Sequence, residues 1–395
     1  MLEQNFSKKL SIKELDETIV DAGDGTELED IGTSIGLMEK PFDPTLIKVE
    51  TKIQSLDSLI KRIDRGSIQM NTESYFQRQD DLWDKTKQSR LIESILIRFP
   101  LPAFFFDASD DNNWLVVDGL QRLSSIRNFS VLKNQALSNM EFLTHLNGQK
   151  WNDLPEDLQR SIEETQVVLH KIMPGTPTDV KYNIFKRINT GGLILEPQEI
   201  RHALFQGRPA QFVHELAQTD AFKAATKNKI ATKRMLDRDF ANRFLAFFLL
   251  GTDNYGNKDY GQDLDSYMSK AMADIYTKSE AELSSIKNSY ILAMKMAKYI
   301  FGKEAFRKVR GSYKRLPPIN KALFDGLATQ FALLTLDEAK KLRNNRTYFK
   351  NRLKTELAQN QELFMSVTSA TSDKKRVQYR HETIKSLITE SINLI

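Results

Sequence analysis

WLVVDGLQRLSSIRNF, residues Trp114–Phe129, changes its hydrophobic period at a single dipeptide. Leu115, Val116 and Val117 form a short continuous apolar run, the pattern of a buried strand. After Asp118-Gly119, the apolar residues Leu120, Leu123, Ile126 and Phe129 recur at every third position and share one face of a helix. A strand that turns through Asp-Gly into a helix predicts a mixed α+β unit around it.

The flanking sequence extends that unit. AFFFD (Ala103–Asp107) is a second apolar run, separated from the first by the polar ASDDNN, so the two predict a hairpin or adjacent strands. Upstream, Leu91, Ile92, Ile95 and Leu96 predict a helix that Pro100 and Pro102 terminate. Leu56, Leu59, Ile60 and Ile63 predict another, with Gly66 where a left-handed C′ residue would end it. Short strands are expected at Ile47 to Val49 and in SIQM, and a further one from Val167 to Ile172. From Glu199 the pattern becomes helical throughout. Leu283, Ile286, Tyr290, Ala293, Ala297 and Ile300, for example, make one stripe. The expected organisation is an acidic, flexible tail over 1–44, an α+β domain over 45–200, and an all-helical domain over 201–395.

A chain of 395 residues can bury two cores, and 40% apolar with 28% charged residues describes a soluble globular protein. No apolar run reaches the ~18–20 residues of a membrane span. With no cysteine, disulfides, thiolate catalysis and Cys-based zinc sites are excluded. Without an export signal at the N-terminus, the expected compartment is the cytoplasm. The net charge of +5 is unevenly spread: eight acids and one lysine lie between Lys13 and Asp30. Basic clusters RKVRGSYKR, KKLRNNRTYFKNRLK and DKKRVQYR occupy the last hundred residues. They are either solvated surface or a nucleic-acid face, and for the latter Lys340, Lys341, Arg343 and Arg346 are the candidate DNA-binding residues.

The chemistry concentrates at the corner that joins strand to helix. A helix N-terminus attracts anions, Gly119 permits close approach, and Arg122 offers a planar fork suited to phosphate. Asp118 opposes a phosphate unless it binds Mg2+ carried by a nucleotide, fixes Arg122, or positions a water. The structural alternative stands beside these: Asp118 as N-cap, Asp-Gly as a turn, and Asp118/Arg122 as an (i, i+4) pair. Arg78, in YFQRQDDLW, is either a second phosphate arm or a strand-end arginine. The five histidines are scattered, with no His-Asn-His arrangement, and no P-loop occurs.

The ordered set FQR, SRLIESILIRFPLP, VVDGLQRL, FKRINTGG followed by QEIRHAL, and RMLDRDFANRFLAFFLL resembles the GmrSD-type restriction-system N-terminal domain family, from about Pro41 to the C-terminus. The resemblance implies a ParB/sulfiredoxin-like nucleotide-binding fold followed by a helical half. In that family a DGQQR signature corresponds to Asp118, Gly119, Gln121 and Arg122 here, with Arg78 as its earlier arginine and Arg187 and Asn189 in the Arg-Ile-Asn-Thr-Gly segment. Leu120 departs from the signature glutamine, which bears on hydrolysis rather than on fold. The His-Asn-His nuclease domain of many relatives is absent, so DNA cleavage by this chain alone is not expected.

What the resemblance implies for function is a Mg2+-dependent NTPase, or an NTP-binding regulator, acting near DNA with a separate nuclease or defence subunit. Asp118 would hold the metal or position water, with Gln121 orienting a phosphate or that water. Gly119, Arg122, Arg78, Arg187 and Asn189 would contact the nucleotide. The alternative is a catalytically silent DNA- or partner-binding module whose corner is purely structural.

Overall fold

Among the described residues, five strands between Val49 and Ile172 build one mixed sheet: β1 (Val49–Ser55), β2 (Ile68–Gln69), β3 (Phe104–Asp107), β4 (Trp114–Asp118) and β5 (Gln166–Ile172), in the order β1-β5-β3-β4-β2. The computed structural model describes residues 26–27, 29, 44–70, 83–188, 196–257, 259–261, 263–310 and 315–394. They fall into two compact units, one of residues 41–195 and one of residues 1–40 with 196–395. The protein is α+β as its sequence pattern predicts.

In the sheet unit β3 and β4 form the expected antiparallel hairpin, and β5 lies parallel to β3 with Phe104 opposite Leu169. Helices α1 (Leu56–Asp64), α2 (Lys85–Leu96), α3 (Leu120–Ile126), α4 (Glu156–Glu164) and α5 (Thr178–Ile188) complete it, α3 running on into a π turn at Arg127–Val131. Alternation along the strands sends Phe104, Phe106, Val116, Val167 and Leu169 into one core with Leu59, Ile92, Ile95, Leu123, Ile126 and Phe129.

The two early helices end by the same backbone device. Gly66 takes φ 69°, its N–H bonding the Ile63 carbonyl while Ser67 N–H reaches that of Arg62. The sequence pattern ends the second helix at its prolines, but it stops at Leu96 because Arg98 adopts φ 63°. Arg98 and Phe99 then donate to the carbonyls of Ile95 and Ser94, closing the same motif without glycine. Pro100 and Pro102 lie beyond a stop that is already made.

The helical unit contains, among its described residues, α6 (Pro197–Leu204), α7 (Arg208–Gln218), α8 (Asp220–Thr226), α9 (Leu236–Leu250), α10 (Leu264–Ile275) and α11 (Glu280–Phe301). They are followed by α12 (Lys321–Ala332), α13 (Leu336–Asn344), α14 (Arg346–Gln359), α15 (Gln361–Ser366) and α16 (Lys374–Ile392). The α11 stripe read from the sequence is buried in this unit's core. No helix among the described residues is long and apolar enough to cross a membrane.

The acidic head reads as a flexible tail in the sequence, yet Thr26 and Glu27 are buried in the helical unit and Glu29 pairs with Arg243. The Glu27 and Glu29 carboxylates are the counter-charges of the buried Lys308 and Arg243, a pairing that composition alone reads as solvation. The rest of 1–43 lies outside the described residues.

Candidate functional site

Gly119 makes the turn from β4 into α3 with φ +100°, and a Cβ placed on it would stand 2.5 Å from the Phe104 ring. Both facts restrict this position to glycine. The close approach that glycine permits is made by the protein's own aromatic core. Asp118 does not cap the helix. Gly119 occupies the N-cap position, so the cap residue has no side chain to bond the first turn, and Leu123 N–H closes onto the Gly119 carbonyl at 2.9 Å.

The Asp118 carboxylate instead accepts from Arg122 Nη2 at 2.8 Å. The same guanidinium donates to the Ala103 carbonyl at 3.1 Å and, through Nη1, to that of Pro102. It also stacks 4.5 Å from the Phe104 ring centroid. Burial lowers the Arg122 pKa while Asp118 opposes that shift, so the cation is retained inside the corner. The fork expected to reach outward for phosphate is turned inward onto the segment before β3. The outward group is the carboxylate, whose side chain is 39% exposed against 10% for Arg122.

Gln121 faces another way. Its Oε1 accepts from Trp83 N–H at 3.1 Å, and Gln88 Nε2 donates to the Trp83 carbonyl at 2.8 Å, which fixes the approach to α2. Leu120 is buried in the sheet-unit core, so the departure from the family signature falls at a core position. Asp118, Gly119, Gln121 and Arg122 are thus brought together as one corner. Arg187 is exposed in the last turn of α5, while Arg78 and Asn189 lie outside the described residues.

The sheet adds a residue that motif reading passes over. A bulge between Phe105 and Phe106 sets Phe105 opposite Asp118, and on its other side Phe105 pairs with His170 of β5, which pairs with Thr51 of β1. Thr51 Oγ1 and His170 Nδ1 are 2.8 Å apart, and the His170 and Phe105 rings lie at 4.5 Å. Thr51, His170, Phe105 and Asp118 therefore form one register row across four strands. The two-residue alternation of VVLHKI, with Val167 and Leu169 in the core, is the signal that sets His170 on the other face.

In the helical unit Lys340, Lys341 and Arg343 are exposed on α13, and exposed Arg346 begins α14. Arg343 and Arg346 flank Tyr299 of α11 at 4.5 and 5.0 Å from its ring, and Arg346 Nη1 donates to the phenol at 3.1 Å. Tyr299 itself is 45% exposed and is not apparent from the basic clusters. Of the buried histidines, His202 is pushed down to about 3 by burial, by Arg238 and by His214, and His381 is lowered by burial. Both are neutral packing groups at physiological pH. Among the described residues no group of three or more His, Cys, Asp or Glu side chains is placed to hold a metal.

Compared with known protein families, residues 56–206 match the model of the GmrSD restriction endonuclease, N-terminal domain. The resemblance read from the motifs is borne out over that segment, α1 through α6, and associates the chain with restriction systems. No curated protein and no solved structure matches the chain.

Proposed function

We propose that the GmrSD-type segment is a nucleoside-triphosphate-binding regulatory module of a restriction-type defence system, working in the cytoplasm with a separate nuclease subunit. The observation that carries this reading is the Asp118 carboxylate, clamped by a buried arginine at a glycine-built corner and still more than a third exposed. Among the described residues Arg122 is the group that pairs with it. A single oriented carboxylate suits Mg2+ that arrives on nucleotide phosphates, because Mg2+ keeps several waters and takes one or two carboxylates from the protein. Asp118 would hold that ion or position the attacking water. Arg122 acts through Asp118 as a positioning residue, and Gln121 holds the approach to α2 in place. Arg78, Arg187 and Asn189 are left as the groups for the phosphates.

A thermal-shift screen of ATP, GTP, CTP and UTP, with and without Mg2+, tests the reading. Ligand at 100 Kd should add about 2.7 kcal/mol. Asp118→Asn should leave Mg2+-free binding intact or tighter, since a carboxylate no longer opposes the phosphates. Any turnover should fall at least tenfold, about 1.4 kcal/mol in the barrier. A wild type that none of the four nucleotides stabilises would sink the proposal and promote the silent-module alternative.

The helical unit supports a second, separate role in DNA binding, on the observation that Tyr299 stands exposed between Arg343 and Arg346, with Lys340 and Lys341 exposed on the same helix as Arg343. Arginine and an aromatic face together suit a phosphate backbone and its bases. Reversing Lys340, Lys341, Arg343 and Arg346 to glutamate should weaken duplex binding and flatten its salt dependence, by about 0.9 in logarithmic slope for each phosphate that is no longer neutralised. An unchanged slope would rule this face out.

A further inference from the structure

Glu27 and Glu29 dock in the helical unit two residues apart, and every group that receives them lies at least 214 positions downstream. Thr26 makes an isolated parallel bridge to Ile319, which also bridges Arg307 in antiparallel sense, so residue 26 lies beside a bridge already made. Glu27 N–H donates to the Ile319 carbonyl at 2.8 Å. Glu27 Oε1 receives Lys308 Nζ at 2.5 Å, and Oε2 receives Asn320 Nδ2 at 3.0 Å. Glu29 Oε1 accepts both terminal nitrogens of Arg243, at 2.9 and 2.8 Å, and the Thr371 hydroxyl at 2.7 Å. Lys308 and Arg243 have side chains 0% and 1% exposed.

We propose that the helical unit carries a binding site for an acidic peptide of the pattern Thr-Glu-x-Glu, and that Thr26, Glu27 and Glu29 of the same chain are its resident ligand. Main-chain pairing supplies the register, and two side-chain pockets, one built on Lys308 and Asn320 and one on Arg243 and Thr371, read the alternate glutamates. This is recognition by strand addition. The main-chain bond to Ile319 selects a polypeptide, whose backbone carries an N–H at this point, over a nucleic acid, whose backbone carries none. Buried cations on separate elements demand carboxylates wherever those come from, so the acidic charge is the recognised feature. A tether holds the resident segment at high effective concentration, so a free copy competes weakly until the resident glutamates are neutralised.

The test uses the full chain with a specific protease site inserted after Gly36. After cleavage the N-terminal fragment should stay bound through size-exclusion chromatography, and excess synthetic peptide spanning residues 20–34 should displace it. The same peptide carrying Glu27→Gln and Glu29→Gln should bind weaker by on the order of a hundredfold. In a second arm, fluorescently labelled wild-type peptide should bind the uncut Glu27→Gln/Glu29→Gln chain and bind the uncut wild type far more weakly. Loss of the fragment on cleavage with an unchanged melting temperature overturns the proposal. So does a retained fragment that excess peptide never displaces, or a glutamine peptide that binds equally well. If the double variant does not fold, the cleaved wild type decides alone.

Discussion

Replacing Arg122 by alanine is expected to destabilise the sheet unit by about 3–5 kcal/mol, because the guanidinium satisfies three acceptors at once. The carbonyls of Pro102 and Ala103 and the Asp118 carboxylate all take its N–H groups, and its plane covers the Phe104 ring. Each buried acceptor left without a donor costs about 1–3 kcal/mol, and the half-exposed carboxylate adds less because water reaches it. Lysine should rescue little, since a point charge cannot replace a planar fork that reaches three oxygens. The protein offers a clean probe: its three tryptophans, Trp83, Trp114 and Trp151, all lie in residues 41–195. Urea unfolding followed by tryptophan fluorescence therefore reports this unit. A phosphate arm would behave in the opposite way, leaving unliganded stability unchanged while abolishing a nucleotide shift. A loss below about 1 kcal/mol, with nucleotide response gone, would return Arg122 to that role.

The contrast shows what the sequence makes legible. The β4–α3 corner is readable because the hydrophobic period changes there, and the end of α1 because Gly66 is the residue type a left-handed stop favours. The end of α2 is not readable, since Arg98 does the same work with a side chain that carries no such signal. Arg122 looks free in the sequence because its acceptors are backbone carbonyls 19 and 20 residues upstream, and carbonyls leave no trace in residue identity. His170 stands apart from every other histidine and joins the Asp118 row only through strand register. The separation is larger still for Glu27 and Lys308, 281 positions apart. Charge counted along a chain describes solvated surface correctly in most places and fails where two distant runs neutralise each other inside a core.

DKKRVQYR, a basic surface cluster by its composition, fails in the same way at its last residue. Arg380 of α16 and Asp325 of α12 are each 0% exposed and form a two-pronged pair at 3.0 Å for both bonds. Arg380 also donates to the Thr371 carbonyl at 2.6 Å, and the His381 ring lies 3.6 Å from Asp325. Arg380→Met is expected to cost the helical unit about 3–5 kcal/mol, because it strands a buried carboxylate. The double variant Arg380→Met/Asp325→Leu should recover most of that loss, since a buried pair contributes little beyond what well-packed apolar groups supply. Titration separates the two effects. Burial raises the Asp325 pKa, but Arg380, His381 and Arg243 outweigh it and hold the carboxyl at about 2. Its folded value lies below the unfolded one, so its contribution is present in full above about pH 4 and lost as pH falls toward 2. Removing Arg380 takes away the largest of the influences that hold it down and moves the folded pKa upward. Wild type should lose stability on mild acidification from neutral pH, because the neutral buried His202 and His381 take up protons on unfolding. Arg380→Met should lose less, because its folded state now binds the extra proton at Asp325. Far-UV circular dichroism of chemical unfolding at several pH values reads this directly. If Arg380→Met loses as much stability between about pH 7 and 5 as wild type does, Asp325 is not the group that Arg380 neutralises.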